Sequence, residues 1–289
     1  MNKIVINTWA DKAGKNAKYW GDYWAKYHLE AAFRTLGQKV VKEHADISID
    51  LYGSKRSMHD DFPRGKYKIM WFYSHPDYFD INVAMTYDMV LCLSMKWFNI
   101  IRKKHRNTVY FPACTHCVLP PNRKLIYNVV FIGNARAGNK YGRQILDHLG
   151  PRATNVPLNL VGFGYNRYPA AKRYLMQTFW PNLKVNKLYG RSRISLSDVA
   201  VDMQRDGFIP FRIFDIVASG GFCITPKIDG IKDIFGQAVV QYRNPQDLRN
   251  KVKYFLRNTH ERVARIEEGL TRVNKHTYLN RVREILAHV

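Results

Sequence analysis

Acidic residues are scarce in this sequence. Its 23 Asp and Glu stand against 46 Lys and Arg, a formal charge of +23 with the histidines neutral. Solubility alone asks for a net charge of only about 2–8 in magnitude. An excess of this size says nothing about fold, yet it attracts polyanions: nucleic acid, an anionic membrane surface or a phosphorylated substrate. Cysteine is rare as well, with four in 289 residues. That is too few for a disulfide framework at this length, so a reducing cytoplasm is expected (the host cytoplasm if the chain is viral). Long apolar runs are missing; the best stretches, such as Val129–Ile132, are strand-sized. The opening residues Met1-Asn2-Lys3-Ile4-Val5-Ile6 lack the apolar core of a signal peptide and read as a first strand. There is no repeat of solenoid period and no low-complexity tract. What remains is an ordinary globular composition, 46% hydrophobic, long enough for one large domain or two of ordinary size.

Strand and helix patterns alternate along the chain. Short apolar runs at Lys3–Asn7, Gln38–Glu43, Ile47–Tyr52, Tyr67–Tyr73, Met89–Leu93 and Val109–Phe111 read as strands, with helices over Gly21–Leu36 and Lys96–Lys104. A segment with three prolines, Pro112–Asn122, reads as a linker. A second α/β pattern follows. Its strands are expected at Asn128–Gly133, Leu158–Val161, Arg193–Leu196, Phe222–Thr225 and Ala238–Gln241. Helices are expected at Tyr141–Leu149, Pro169–Phe179, Pro210–Ser219 and over most of Pro245–His288. Such alternation predicts parallel sheets covered on both faces. The expected division is therefore into two Rossmann-like domains, 1–120 and 121–289, facing each other across a cleft, with the last helix free to pack back on the first domain.

The most informative stretch is Ser192–Thr225. Arg212 and Asp215 lie three apart at the start of a predicted helix and share a face. Pro210 favours the helix start, and Arg212 adds a fixed cation to the positive end of its dipole, an arrangement suited to a diphosphate. Asp215 could accept hydrogen bonds from ribose hydroxyls. An ordinary amphipathic helix with a surface Arg–Asp pair has the same spacing.

Beyond spacing, the second half carries an ordered series of motifs. These are Ser192-Arg193-Ile194-Ser195-Leu196, Asp202-Met203-Gln204-Arg205, Gly207-Phe208-Ile209, Arg212-Ile213-Phe214-Asp215 and Ala218-Ser219-Gly220. Tyr242, Asn244-Pro245 and Leu248 follow, then His276-Thr277-Tyr278 and Arg281. The series resembles the CgeB-like, spore-maturation-type glycosyltransferases of the GT-B superfamily, with Ser197 where that pattern has Asn and Asn244 where it has Asp. The resemblance implies a nucleotide diphosphate-sugar as donor substrate, UDP-sugar favoured, with no cofactor and no metal. It places Gly133, Asn134 and Arg136 at the donor phosphates, with backbone N–H groups of Gly133–Ala135 helping, and Tyr189 beside the nucleotide base. Arg193, Arg212 and Asp215 complete the implied donor set.

In the first half, Trp20-Gly21-Asp22-Tyr23-Trp24 and Ser74-His75-Pro76-Asp77 resemble two further segments of that family. An inverting transfer needs a base for the acceptor hydroxyl, and Asp22 or His75 could supply it; a retaining transfer needs none. Asp22 could equally be a helix cap and His75 a turn residue. Cys114-Thr115-His116-Cys117 has no second ligand pair, which a zinc site would need.

Basic residues recur through both halves, among them Arg64, Lys66, Lys68, Arg123, Lys124, Arg167, Lys172, Arg173, Lys184, Lys187 and Arg191. The densest run, Lys96–Arg106, includes Arg102, Lys103 and Lys104 on a predicted amphipathic helix. It reads as a packed helix with a solvated face, a membrane-surface patch, or a phosphate-tracking surface. Charge spread this widely suits a long polyanion. The expected acceptor is therefore DNA, as a hydroxymethylated pyrimidine of the kind found in bacteriophage genomes, with Arg102, Lys103 and Lys104 as DNA contacts. A cell-surface glycan or lipid acceptor, and a non-catalytic DNA-binding protein on a transferase fold, are the alternatives.

Overall fold

The computed structural model describes residues 1–53, 62–122 and 124–289; Arg123 of the basic set lies outside them. Twelve strands form two six-stranded sheets. The first holds β1 (Lys3–Asn7), β2 (Lys39–Val40), β3 (Ile47–Tyr52), β4 (Tyr67–Phe72), β5 (Met89–Cys92) and β6 (Thr108–Tyr110), in the order β2-β1-β3-β4-β5-β6. The second holds β7 (Tyr127–Ile132), β8 (Leu158–Val161), β9 (Leu175–Gln177), β10 (Ser192–Leu196), β11 (Cys223–Pro226) and β12 (Val239–Tyr242), in the order β12-β11-β10-β7-β8-β9. Every pairing in both sheets is parallel. The strands are near-continuous apolar runs because helices cover both faces. Residues of β3 to β5 such as Ile49, Leu51, Trp71, Phe72 and Leu91 are completely buried.

Each sheet reverses its strand order once, at β1/β3 in the first and at β7/β10 in the second. Doubly wound sheets bind ligands at the carboxyl ends of the strands flanking such a reversal. No helix among the described residues is long and apolar enough to cross a membrane.

The chain divides into two compact units, though not as contiguous halves. One comprises Met1–His116, Ala200–Ile209 and His276–Val289; the other comprises Cys117–Val199 and Pro210–Lys275. The short excursion 200–209 belongs to the first unit because of its own chemistry. Phe208 is buried against Phe72, with ring centroids 4.9 Å apart. Asp206 accepts from Lys96, from Trp97 Nε1 at 3.0 Å and from Arg205 Nη2 at 2.8 Å. Hydrogen bonds from Arg205 hold its carboxyl well below the usual carboxylate range. The final helix Tyr278–His288 returns to the same unit. Arg281 is buried there and donates to the Pro112 carbonyl at 2.8 Å.

The helix expected over Pro169–Phe179 is only Pro169–Lys172; Leu175–Gln177 is the edge strand β9. Hydrogen bonding to β8 outweighs the helical pattern there. The expected strand Gln38–Glu43 shrinks to Lys39–Val40.

Candidate active site

In the first unit, β1 runs through Thr8 into a 3-10 segment, Trp9–Tyr19, and then into the helix Gly21–Thr35. Asp22 occupies that helix's first turn. β4 continues into Tyr73, Ser74 and His75, and Ser74 Oγ donates to the Gly53 carbonyl at 2.6 Å. Gly53 is required to lack a side chain, since a Cβ there would collide with the Tyr73 hydroxyl. Tyr73 is buried, and its hydroxyl donates to the Asp22 carboxylate. Burial raises the Asp22 pKa, against the lowering effects of the Tyr73 hydrogen bond and the nearby His75 charge. His75 adopts a left-handed backbone, φ 54° and ψ 60°, a costly conformation for a non-glycine residue. Its Nδ1 lies 3.8 Å from Asp202 Oδ2, and Arg205 Nη2 donates to Asp77 at 2.6 Å. The two sequence-predicted residues Asp22 and His75 are thus brought together, with Tyr73 and Asp202 as companions.

In the second unit, the Gly133–Arg136 loop leaves β7 at the reversal point. Arg143, at the start of the Gln144–Leu149 helix, is buried beneath it. Its Nε donates to the Asn134 carbonyl at 2.6 Å, and its Nη1 lies 3.5 Å from Asp198 Oδ2, just past β10. Arg212, in the first turn of the helix Phe211–Ala218, lies over the Phe131 ring at 5.8 Å, and Arg143 lies over the same ring at 5.7 Å. Burial, followed by repulsion from Arg136 and Arg212, pushes Arg143 down to about 10, with Asp198 opposing the fall. Three guanidiniums therefore crowd one spot. Asp198 itself is buried, and its Oδ1 has no hydrogen-bond partner.

Several expected roles change. The Gly133, Ala135 and Arg136 N–H groups donate to the carbonyls of Val161, Phe163 and Gly142 at 2.8, 2.8 and 2.7 Å. They are spent within the protein and cannot serve phosphates. Asn134 Oδ1 accepts from the Phe163 N–H at 3.1 Å, so that side chain fastens the loop. Gly133 instead makes room: a Cβ there would stand 3.2 Å from Arg143 Nη2. Tyr189 is buried and hydrogen-bonds Arg212, which makes it a support for that arginine rather than a seat for a nucleotide base. Arg193 is exposed near the amino end of β10, close to Arg262, and is not brought to the cluster. About 13 Å of extended strand separates it from Ser197. Asp215 stays on the Arg212 face, half-buried.

Arg102, Lys103 and Lys104 are exposed, as expected, but at the wrong edge. The helix Met95–Arg102 runs back from the carboxyl end of β5. His105 then contacts the Tyr87 carbonyl, 2.8 Å away, just before β5 begins. The cluster is thus at the amino end of the sheet, remote from Asp22 and His75.

Asp198 and Arg143 were the residues least visible in advance. Their signal is positional: an acid and a base each following a strand that borders the reversal.

The glycosyl transferase-like family matches residues 136–287, just over half the chain. No curated protein matches the sequence. Among solved structures, AviGT4, a glycosyltransferase involved in avilamycin A biosynthesis, is similar at 12% identity and TM-score 0.62, over 100% of this chain and 97% of its own. A sucrose-phosphate synthase from Thermosynechococcus elongatus gives 10% and 0.65, covering 100% of both chains. An alpha-glucosyltransferase in complex with UDP and a 13-mer DNA containing a HMU base gives 9% and 0.63, over 99% of each. The architecture these share with the present chain is GT-B, with two α/β units each built on a parallel sheet.

Proposed function

Because this chain belongs to the glycosyl transferase-like family, we propose that it transfers a sugar from a nucleotide diphosphate donor, held by the second unit, to a hydroxyl acceptor held by the first. One observation carries the donor half. Arg136, Arg143 and Arg212 are close enough to depress one another's charge, with a single buried carboxylate, Asp198, among them. Like charges gathered this way are costly unless an anion joins them. A diphosphate fits, because guanidinium forks pair with phosphate oxygens in two-point contacts. Asp215, one turn beyond Arg212, is placed for ribose hydroxyls, and UDP-sugar is the favoured donor. The finer kinship to the CgeB-like branch rests on the ordered motifs between Ser192 and Arg281.

On the acceptor side, Asp22 is the base in an inverting transfer. The raised pKa makes it a stronger proton acceptor than an ordinary carboxylate, and Tyr73 fixes its orientation. His75, held by Asp202, is the second candidate. The acceptor reading is a hydroxymethylated pyrimidine in DNA. It is supported by the +23 charge and, by analogy of fold, by the alpha-glucosyltransferase bound to DNA.

The test is incubation with UDP-, GDP- and TDP-sugars and hydroxymethylated DNA, followed by mass spectrometry of the nucleosides. A mass increase of one sugar on the modified nucleoside is expected. Transfer to a lipid or glycan with unmodified DNA left unchanged would replace the acceptor, and donor binding without transfer to anything would favour a non-catalytic DNA-binding protein. Because Arg102, Lys103 and Lys104 stand at the far edge of their sheet, converting all three to Gln is expected to leave kcat unchanged in this assay. A large loss would return them to the acceptor site.

A further inference from the structure

We infer that the segment Trp9–Trp20 is the nucleic-acid-binding element of the acceptor half, with lysines for the strand's phosphates and exposed aromatic rings for an unstacked base. This rests on the DNA-acceptor reading and supplies the contacts that Arg102, Lys103 and Lys104 cannot.

Composition is the first ground. Lys12, Lys15 and Lys18 recur at intervals of three and are all exposed. The segment's acid, Asp11, is neutralised by Lys26 at 2.8 Å, so the three lysines are left as net charge. In a helix of three residues per turn, side chains three apart eclipse, which lines Lys15 and Lys18 up about 6 Å apart. Lys12 precedes the kink at Gly14, where φ is 53° and ψ is −128°.

Rigidity is the second. Thr8 accepts from the Ala10 N–H at 3.3 Å while Asp11 accepts from the Thr8 N–H, a reciprocal cap at one end. At the other end Trp24 Nε1 donates to the Lys18 carbonyl at 2.9 Å, and the rings of Trp9 and Trp20 brace the two ends edge to face at 4.8 Å. A platform fixed in this way loses little entropy when a strand settles on it.

Exposure and place complete the case. Tyr19 and Trp20 are 42% and 41% exposed, large aromatic surfaces left in water two and three residues from Asp22. Sequence-tolerant single-strand sites combine cations that follow the backbone with aromatic faces that stack on bases. Enzymes that modify a base draw it out of the duplex before reacting with it. A membrane-surface helix needs a continuous apolar face. Here alanines, Asn16 and Asp11 fill the positions between the lysines and the two terminal rings, which favours nucleic acid.

The experiment measures binding of the whole protein to fluorescent single-stranded and duplex DNA by anisotropy across a salt series. UDP binding is followed by calorimetry in parallel. The triple variant K12Q/K15Q/K18Q is expected to lose affinity for DNA at low salt, and its log–log salt slope should be shallower by about 2 to 3, near 0.7–0.9 per lysine. Tyr19→Ala should weaken single-strand binding by roughly ten-fold or more, as loss of one stacking partner does. Tyr19→Phe, which keeps the ring, should restore it. Unchanged DNA affinity and slope in the lysine variant, with the native protein binding DNA, would overturn the inference and leave the acceptor reading intact. Native protein that ignores DNA at physiological salt but binds phosphatidylglycerol-containing vesicles would overturn both. Calorimetry separates either result from failure of the donor site.

Discussion

Asp22→Asn is expected to lower kcat by about 10²–10⁴-fold, the range for removing a general base. Donor affinity should be unchanged, because the donor arginines belong to the other unit. The same substitution should raise the melting temperature. The folded-state pKa of Asp22 lies above its ordinary value through burial, so the folded protein binds this proton more tightly than the unfolded chain does. Stability from this group is therefore full in acid and is lost as pH rises from the ordinary carboxylate value through the raised one. At neutral pH the charged carboxylate is a burden on the fold, and neutral Asn relieves it while still accepting from Tyr73. Turnover should follow the opposite course, appearing only as Asp22 ionises, with an acid limb above the usual carboxylate range. Steady-state kinetics and thermal melts against pH check both trends. Full turnover in Asp22→Asn and in a His75→Ala companion would exclude a side-chain base at either position and favour a retaining transfer.

Arg212→Ala is expected to weaken UDP binding by one to two powers of ten. A hydrogen bond to a charged group contributes about 1.5–3 kcal/mol, and every 1.4 kcal/mol is about ten-fold. Part of the loss should be recovered at Arg143, since removing one neighbouring cation relieves the repulsion that pulls its pKa down to about 10. Tyr189→Phe should give a smaller loss of the same kind, because the ring remains and only the bond to Arg212 disappears. Calorimetry with UDP reads both. Unaltered affinity in a folded Arg212→Ala protein would remove the arginine cluster from the donor site.

The sheets were legible because parallel strands buried on both faces leave unmistakable apolar runs. Ile47–Tyr52 and Leu158–Val161 match residue for residue. Asp22 and His75 were legible as motif positions that also follow strands. Arg193 was misplaced because a motif gives order without telling which end of a strand faces the ligand. Arg102, Lys103 and Lys104 failed for a related reason: charge density names a surface, and only the direction of the chain through the sheet says where that surface lies. Lys12, Lys15 and Lys18 were passed over because Ala, Gly and Asn between them give no helical or strand period. The pairing of Arg143 with Asp198 spans 55 positions of sequence, and nothing local to either residue announces it.

The excursion 200–209 and the final helix also govern how this molecule can be divided. A cut after residue 120 looks natural from the prolines that follow. Yet it would strip Phe208 from Phe72, Asp206 from Lys96 and Trp97, and Arg281 from the Pro112 carbonyl. Losing one large buried aromatic alone costs about 3–5 kcal/mol, a large share of a domain's whole stability. Neither half is thus a transferable module. A chimera that takes its acceptor half from this chain must import three separated pieces of sequence, and the middle piece begins two residues after the aspartate that faces Arg143. Evolution can retune donor or acceptor by changing side chains in place, while wholesale exchange of halves at the linker is closed to it.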